Sequence, residues 1–206
     1  MPFPKLLHDS VLAPIGMSLS TYEQPLQASR KAEAATPYRG NGDAVPGGAH
    51  TYPEMAAAGL WTTPSDLARY AIEVQQALAG KSNRVISAAT ARQMLTPGKN
   101  NWGLGPMTGG SREKPYFGHS GSDEGFESNL IAYNSGNGAV IMTNGQNGAQ
   151  LAVEIMATIS RSYGWPDFKP VLITRIELMV VMVIIALFAT VVGAKLFRHE
   201  KRLAKQ

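Results

Sequence analysis

The sequence predicts an α+β fold, an antiparallel sheet flanked by helices, followed by a C-terminal transmembrane helix. Three observations lead there. Apolar residues recur at helical spacing in the first half of the chain and again after residue 147. Between these stretches the period shortens to that of strands, joined by turn-forming residues. The last 36 residues hold a long uncharged run with a basic end. With 44% hydrophobic and 17% charged residues in 206, the chain is neither collagen-like nor disordered. It contains no Cys, which excludes disulfides, thiolate nucleophiles and Cys-ligated zinc.

Taken in order, Phe3, Leu6, Leu7 and Val11 fall at helical spacing and stop before Pro14 and Gly16. Residues 19–53 show no sustained period and carry Pro37, Gly40, Gly42, Pro46, Gly47 and Gly48, which predicts a long surface loop. Thr63-Pro64-Ser65-Asp66 reads as a helix start, with an N-cap hydroxyl, proline at the first helical position and an acid to complement the dipole. Leu67, Tyr70, Ala71, Val74 and Leu78 continue that apolar face to a stop at Gly80. Ser87 caps a shorter helix that ends at Pro97-Gly98. Strands are expected at NWGLG (101–105), PYFGHSG (115–121), SNLIAY (128–133) and AVIMTN (139–144), the last two joined by a turn over residues 134–138. A final helix, from about Asn147 to Tyr163, should turn Leu151, Ile155 and Ile159 inward and stop at Gly164.

The tail obeys different physics. Residues 178–194 are 17 positions without a charge. At about 1.5 Å per residue they make roughly 25 Å of helix, and counting Leu196 and Phe197, with the Lys195 ammonium snorkelling to the headgroups, brings the segment to spanning length for a ~30 Å hydrocarbon core. The formal charge of +4 resides here, since the chain to Pro170 balances 13 Lys and Arg against 13 Asp and Glu. A charge placed this way is a topology signal and gives no support to nucleic-acid binding. The expected organisation is a folded domain over residues 1–165, a linker over 166–177, a transmembrane helix over 178–197 and a basic tail over 198–206. By the positive-inside rule the tail is cytoplasmic and the main domain extracytoplasmic, periplasmic or extracellular. Met1-Pro2-Phe3-Pro4-Lys5 opens no signal peptide.

The chemically informative stretch runs from Tyr116 to Phe126. His119 and Ser120 stand at the end of a strand, and Gly121 and Gly125 let a ligand approach the backbone. Asp123, Glu124 and Glu127 form an acidic cluster beside His119, read as a solvated loop or as help in orienting the histidine or steering a cationic substrate. Trp61 and Trp102 are expected in the core or as a cleft wall. His8, His50, His119 and His199 share no metal-ligand spacing, so no metal or other cofactor is expected. The glycine-rich 40–48 loop lacks Gly-Lys-Ser/Thr and is no phosphate cradle.

With these phrases in view, the sequence resembles the serine β-lactamase-like hydrolases, which include class C β-lactamases, penicillin-binding-protein-like carboxypeptidases and esterases. PFPKLLHDSVLAPIGMSLSTYEQP, AAAGLWTTPSDLARYAIEVQQAL, the Trp-Gly-Leu-Gly strand and FGHSGSDEGFESNLIAYNSGNGAVIMTNG follow that family's order over most of residues 1–163. The resemblance implies a partial β-lactamase/transpeptidase-like fold and places His119, Ser120 and Gly121 on the third active-site motif, Lys-Thr-Gly or His-x-Gly. His119 would then be the hydrogen-bonding group beside the nucleophile, and Ser120 would hold a polar group of the substrate. The Ser122 N–H would form half of an oxyanion hole, with Gly125 and Phe126 beside the substrate.

The departures from the family's pattern carry equal weight. Its nucleophile is the Ser of a helical Ser-x-x-Lys, activated by that Lys and by the Tyr of Tyr-x-Asn. No Tyr-x-Asn occurs among the 206 residues, and the one Ser-x-x-Lys string, Ser111 to Lys114, runs directly into Pro115 and a strand. Ser135-Gly136-Asn137 lies in a hairpin turn. The expectation is therefore the C-terminal part of a membrane-anchored serine hydrolase, inactive as it stands and needing upstream residues to complete a site for a small-molecule or peptide-like substrate. The alternative is a non-catalytic, membrane-tethered binding module or a truncated gene product.

Overall fold

A computed structural model describes residues 1–165. The expected linker, transmembrane helix and basic tail (166–177, 178–197 and 198–206) lie outside the described residues. Among the described residues no helix is long and apolar enough to cross a membrane.

The elements run α1 (Phe3–Leu7), α2 (Met55–Ala58), α3 (Pro64–Leu78), α4 (Ala88–Met94), then β1 (Met107–Gly110), β2 (Pro115–Asp123), β3 (Phe126–Tyr133) and β4 (Gly138–Thr143), and finally α5 (Gly148–Ser162). The four strands form one antiparallel meander in chain order. Helices flank both faces, as the alternation along β2 and β3 requires. Phe117, Leu130 and Ala132 point to one face and pack with Ala71 and Val74 of α3 and with Leu95. Ile131 and Tyr133 point to the other and pack with Met156 of α5. Leu12, Ile15 and Met17 form a third cluster against Tyr70 and Val85.

Local chemistry explains the helix starts. Thr63 Oγ1 accepts from the Asp66 N–H at 3.2 Å, and Ser87 Oγ accepts from the Thr90 N–H at 3.1 Å, each satisfying an orphan amide of the first turn. Gly80 follows α3 at φ +70°, a left-handed conformation that glycine adopts without penalty. The helix begun at Phe3 continues through His8–Leu12 as a widened π-turn, ending where predicted before Pro14.

Three expectations need correction. The NWGLG segment is not a strand: Lys99–Asn101 form a 3₁₀ turn, Trp102 makes only an isolated bridge to Met107, and β1 starts at Met107. Its backbone bonds go elsewhere, with Leu104 N–H donating to Met94 O at the end of α4 and Gly103 N–H to Pro106 O. The inward face of α5 is displaced by one residue, to Gly148, Ala152, Met156 and Ser160, while Leu151 is 51% exposed. Small residues let the helix lie close to the sheet: a Cβ on Gly148 would stand 1.7 Å from Thr143 Oγ1. Residues 19–53 are irregular but not merely superficial, because Ser20, Leu26 and Val45 are buried and Thr21 pairs in both directions with Trp61. Of the two places open to Trp102, core or cleft wall, its 42% exposure fits the second.

What holds the start of that long segment is Asp66, a fully buried acid. Its carboxylate accepts from Leu19 N–H at 2.8 Å, Ser20 Oγ at 2.9 Å and Arg69 Nη1 at 2.6 Å. Asp66→Ala should cost about 3 kcal/mol, since it removes from a fully buried site the charged acceptor of three hydrogen bonds. Equilibrium denaturation checks this; a change no larger than an exposed surface substitution would show that Asp66 does not tie these segments together.

Candidate active site

The site grows from the last five residues of β2. Phe117 is 1% exposed in the core, and two residues on, on the same face, His119 emerges into solvent. Its ring meets Trp102 edge to face at 5.4 Å between centroids. His119 Nδ1 lies 2.5 Å from the Ser120 carbonyl oxygen, so that nitrogen carries the hydrogen and the neutral ring keeps its lone pair on Nε2.

Ladder arithmetic decides where the backbone groups point. Asn134 N–H donates to Pro115 O at 2.9 Å at the end of the β2–β3 ladder. Antiparallel bonding alternates by two residues, so Phe117, His119, Gly121 and Asp123 bond to β3, and the N–H and C=O of Ser120 and Ser122 face the opposite edge. On that edge β1 begins at Met107, opposite Gly118. Beyond Gly118, therefore, no strand covers β2, and among the described residues no backbone bond reaches the N–H of Ser120 or Ser122. The result is a pair of open amides on the same stretch of strand as the His119 ring.

Behind this edge the β2–β3 turn is clasped by a distant loop. Glu124 accepts from Arg39 Nε at 2.7 Å and pairs with His50 Nε2 at 2.5 Å, while its N–H donates to Tyr52 Oη at 3.2 Å. The Arg39 hydrogen bond, then that of His50, holds the Glu124 carboxyl below the usual glutamate range. Partial burial raises the Asp123 carboxyl instead. Gly125 has φ +84° and donates its N–H to Gln146 Oε1 at 2.9 Å. Any Cβ there would come within 2.5 Å of Pro37, so only glycine lets the loop close over the turn.

Of the residues singled out from sequence, His119, Ser120, Gly121 and Ser122 are consecutive on one exposed strand end. Gly125 is buried at the turn and Phe126 half-buried beyond it. The acidic cluster splits by role and does not orient His119: Glu124 holds the loop, and Glu127 accepts from Ser122 Oγ at 2.7 Å. Ser111 and Lys114 lie in the β1–β2 turn, where Ser111 Oγ accepts from the Lys114 N–H at 3.2 Å, far from a helical nucleophile geometry. Sequence reasoning missed Arg39, His50, Tyr52 and Gln146. Their partners lie 85, 74, 72 and 21 residues away, and no local pattern announces them. Among the described residues no cluster of His, Asp and Glu could hold a metal ion.

The beta-lactamase family profile matches residues 1–159. The chain belongs to the beta-lactamase family. This family member shares its fold with the octameric penicillin-binding protein homologue from Pyrococcus abyssi (19% identity, TM-score 0.64, 82% of this chain and 39% of that one). It is also similar to a beta-lactamase/D-alanine carboxypeptidase from Pseudomonas syringae (14%, TM-score 0.62, 82% and 55%) and a D-amino acid amidase from Ochrobactrum anthropi (18%, TM-score 0.55, 79% and 52%). This chain thus spans about two fifths to just over half the length of those structures. No curated protein matches the sequence.

Because the Glu124 carboxyl is depressed, its contribution to stability is complete above the ordinary glutamate range and is lost as pH falls through its lowered folded value. Glu124→Gln should therefore destabilise the domain at neutral pH, with the difference from the parent vanishing in acid. In Arg39→Ala, ¹³C NMR should find the Glu124 carboxyl titrating at higher pH than in the parent; an unmoved titration would remove Arg39 as its main partner.

Proposed function

We propose that this chain is the C-terminal part of a membrane-anchored serine hydrolase, acting by acyl transfer on an ester, amide or peptide-like bond. The observation that carries the reading is the open edge of β2, where the amides of Ser120 and Ser122 and the His119 ring stand together without partners from a neighbouring strand. An oxyanion that develops in a tetrahedral transition state needs donors fixed before the reaction, and backbone N–H groups on a laddered strand meet that need. Ser122 N–H supplies one such donor. His119 Nε2 accepts or returns a proton near the reacting oxygen, with Nδ1 anchored on the Ser120 carbonyl. Ser120 Oγ holds a polar group of the substrate, Gly121 leaves room for it by lacking a side chain, and Gly125 and Phe126 border it.

The nucleophile comes from outside these 206 residues. Ser111-Arg112-Glu113-Lys114 turns where a helix is required, and no Tyr-x-Asn is present. The chain's share of its structural neighbours' length supports a domain completed by further polypeptide. The uncharged run at 178–194 and the basic end after it support a membrane anchor over residues 178–197 with the catalytic domain on the extracytoplasmic side.

As it stands, the purified chain should take up no fluorophosphonate or penicillin adduct by intact-mass measurement. A stoichiometric adduct mapped to Ser111 or Ser120 would place a nucleophile within the chain and overturn the reading. For the anchor, an alkaline phosphatase reporter fused after Gln206 should be inactive and a cytoplasmic reporter active. The reverse pattern would invert the orientation.

A further inference from the structure

At the other end of β2 lies a groove of about 740 Å³ that belongs to no part of the proposed hydrolytic site. Pro115 is four residues from His119, about 13 Å along an extended strand. The groove is walled by Leu78 of α3, Leu95 and Tyr116, and the charged side chains along it are Arg92 of α4 and Arg112 of the β1–β2 turn, with no acid. Those two guanidiniums stand out electrostatically. Arg39, Arg69 and Arg84 each hold a carboxylate, and Arg161 donates to Thr158. The side chains of Arg92 and Arg112 have no hydrogen-bonding or ion-pair partner among the described residues, and Arg30, the other such arginine, is not on the groove.

Asn134 also lines the groove. Two unpaired guanidiniums from separate elements and an apolar wall suit one chemistry. We infer that this groove binds a small organic anion, a phosphate or carboxylate carried on an apolar or aromatic body, with Arg92 and Arg112 on the acidic group and Leu78, Leu95 and Tyr116 against the body. The inference is independent of the hydrolase reading, because it uses none of the residues near His119.

The test is calorimetric titration of the full chain with phenyl phosphate and with inorganic phosphate. Phenyl phosphate should bind saturably, more tightly than inorganic phosphate, and more weakly as salt rises. Arg92→Ala and Arg112→Ala should each weaken it by about tenfold, the cost of losing a charge-assisted hydrogen bond, while Arg30→Ala leaves it unchanged. Arg92 and Arg112 are exposed and Arg30 is half-buried, and Arg92→Gln and Arg112→Gln, which keep the stem, should weaken binding alike. No saturable binding by the folded parent, or equal weakening by Arg30→Ala, would overturn the site. Equal affinity for the two probes would overturn the role of the apolar wall.

Discussion

Burial of Phe117 between the sheet and α3 is the constraint on which the rest of the molecule depends. A strand repeats every two residues, so once Phe117 is seated on Ala71 and Val74, His119 must rise from the same face two positions on. The next core pair, Leu130 and Ala132 on β3, sets the register that puts Leu130 opposite His119 and Ala132 opposite Phe117. A slip of one residue would send His119 to the α5 face and Gly118 into the core. The hydrophobic effect thus positions the polar group, although His119 itself contributes little to the core.

The irregular half of the chain is held by charge and hydrogen bonding, not by apolar burial alone. Three carboxylates repeat one device: each is held by an arginine and ties a loop to a regular element. Asp66 captures residues 19–20 at the start of α3. Glu73, nearly fully buried within α3, takes Arg84 through two nitrogens at 3.0 and 2.6 Å and Ser82 at 2.6 Å, folding the 80–86 segment onto the helix. Glu124 draws the loop carrying Arg39 and His50 over the β2–β3 turn. The first two are buried on the acid's side and so are strongly coupled to folding, whereas the Glu124 pair is open to solvent and screened.

Much of this was legible in the sequence. Hydroxyl N-caps at Thr63 and Ser87, Gly80 as a stop, three of four strands and the hairpin at 134–138 followed from local preferences that tertiary context did not override. The His119-Ser120-Gly121-Ser122 run was also legible, because its members are adjacent and any strand would display them together. Where the reading failed, a long-range contact had intervened. NWGLG alternates like a strand, but its amides are claimed by Met94 and Pro106. The α5 face has larger residues at Leu151 and Ile155, yet Gly148 and Ala152 face the sheet because close approach to Thr143 favours small side chains over hydrophobic ones.

By itself the sequence determined the α+β class of the described residues, the order of helices and strands, the placement of the formal charge in the tail, and that His119 to Ser122 stand together near the end of β2. These follow from periodicity, capping and composition, which are local. Only the tertiary structure decided that the amides of Ser120 and Ser122 are open, since this depends on where β1 starts relative to β2. It alone paired Glu124 with Arg39 and His50 and gathered Arg92, Arg112 and Asn134 around one groove. Partners so far apart in the chain are brought together by packing, and packing leaves no trace in a local pattern.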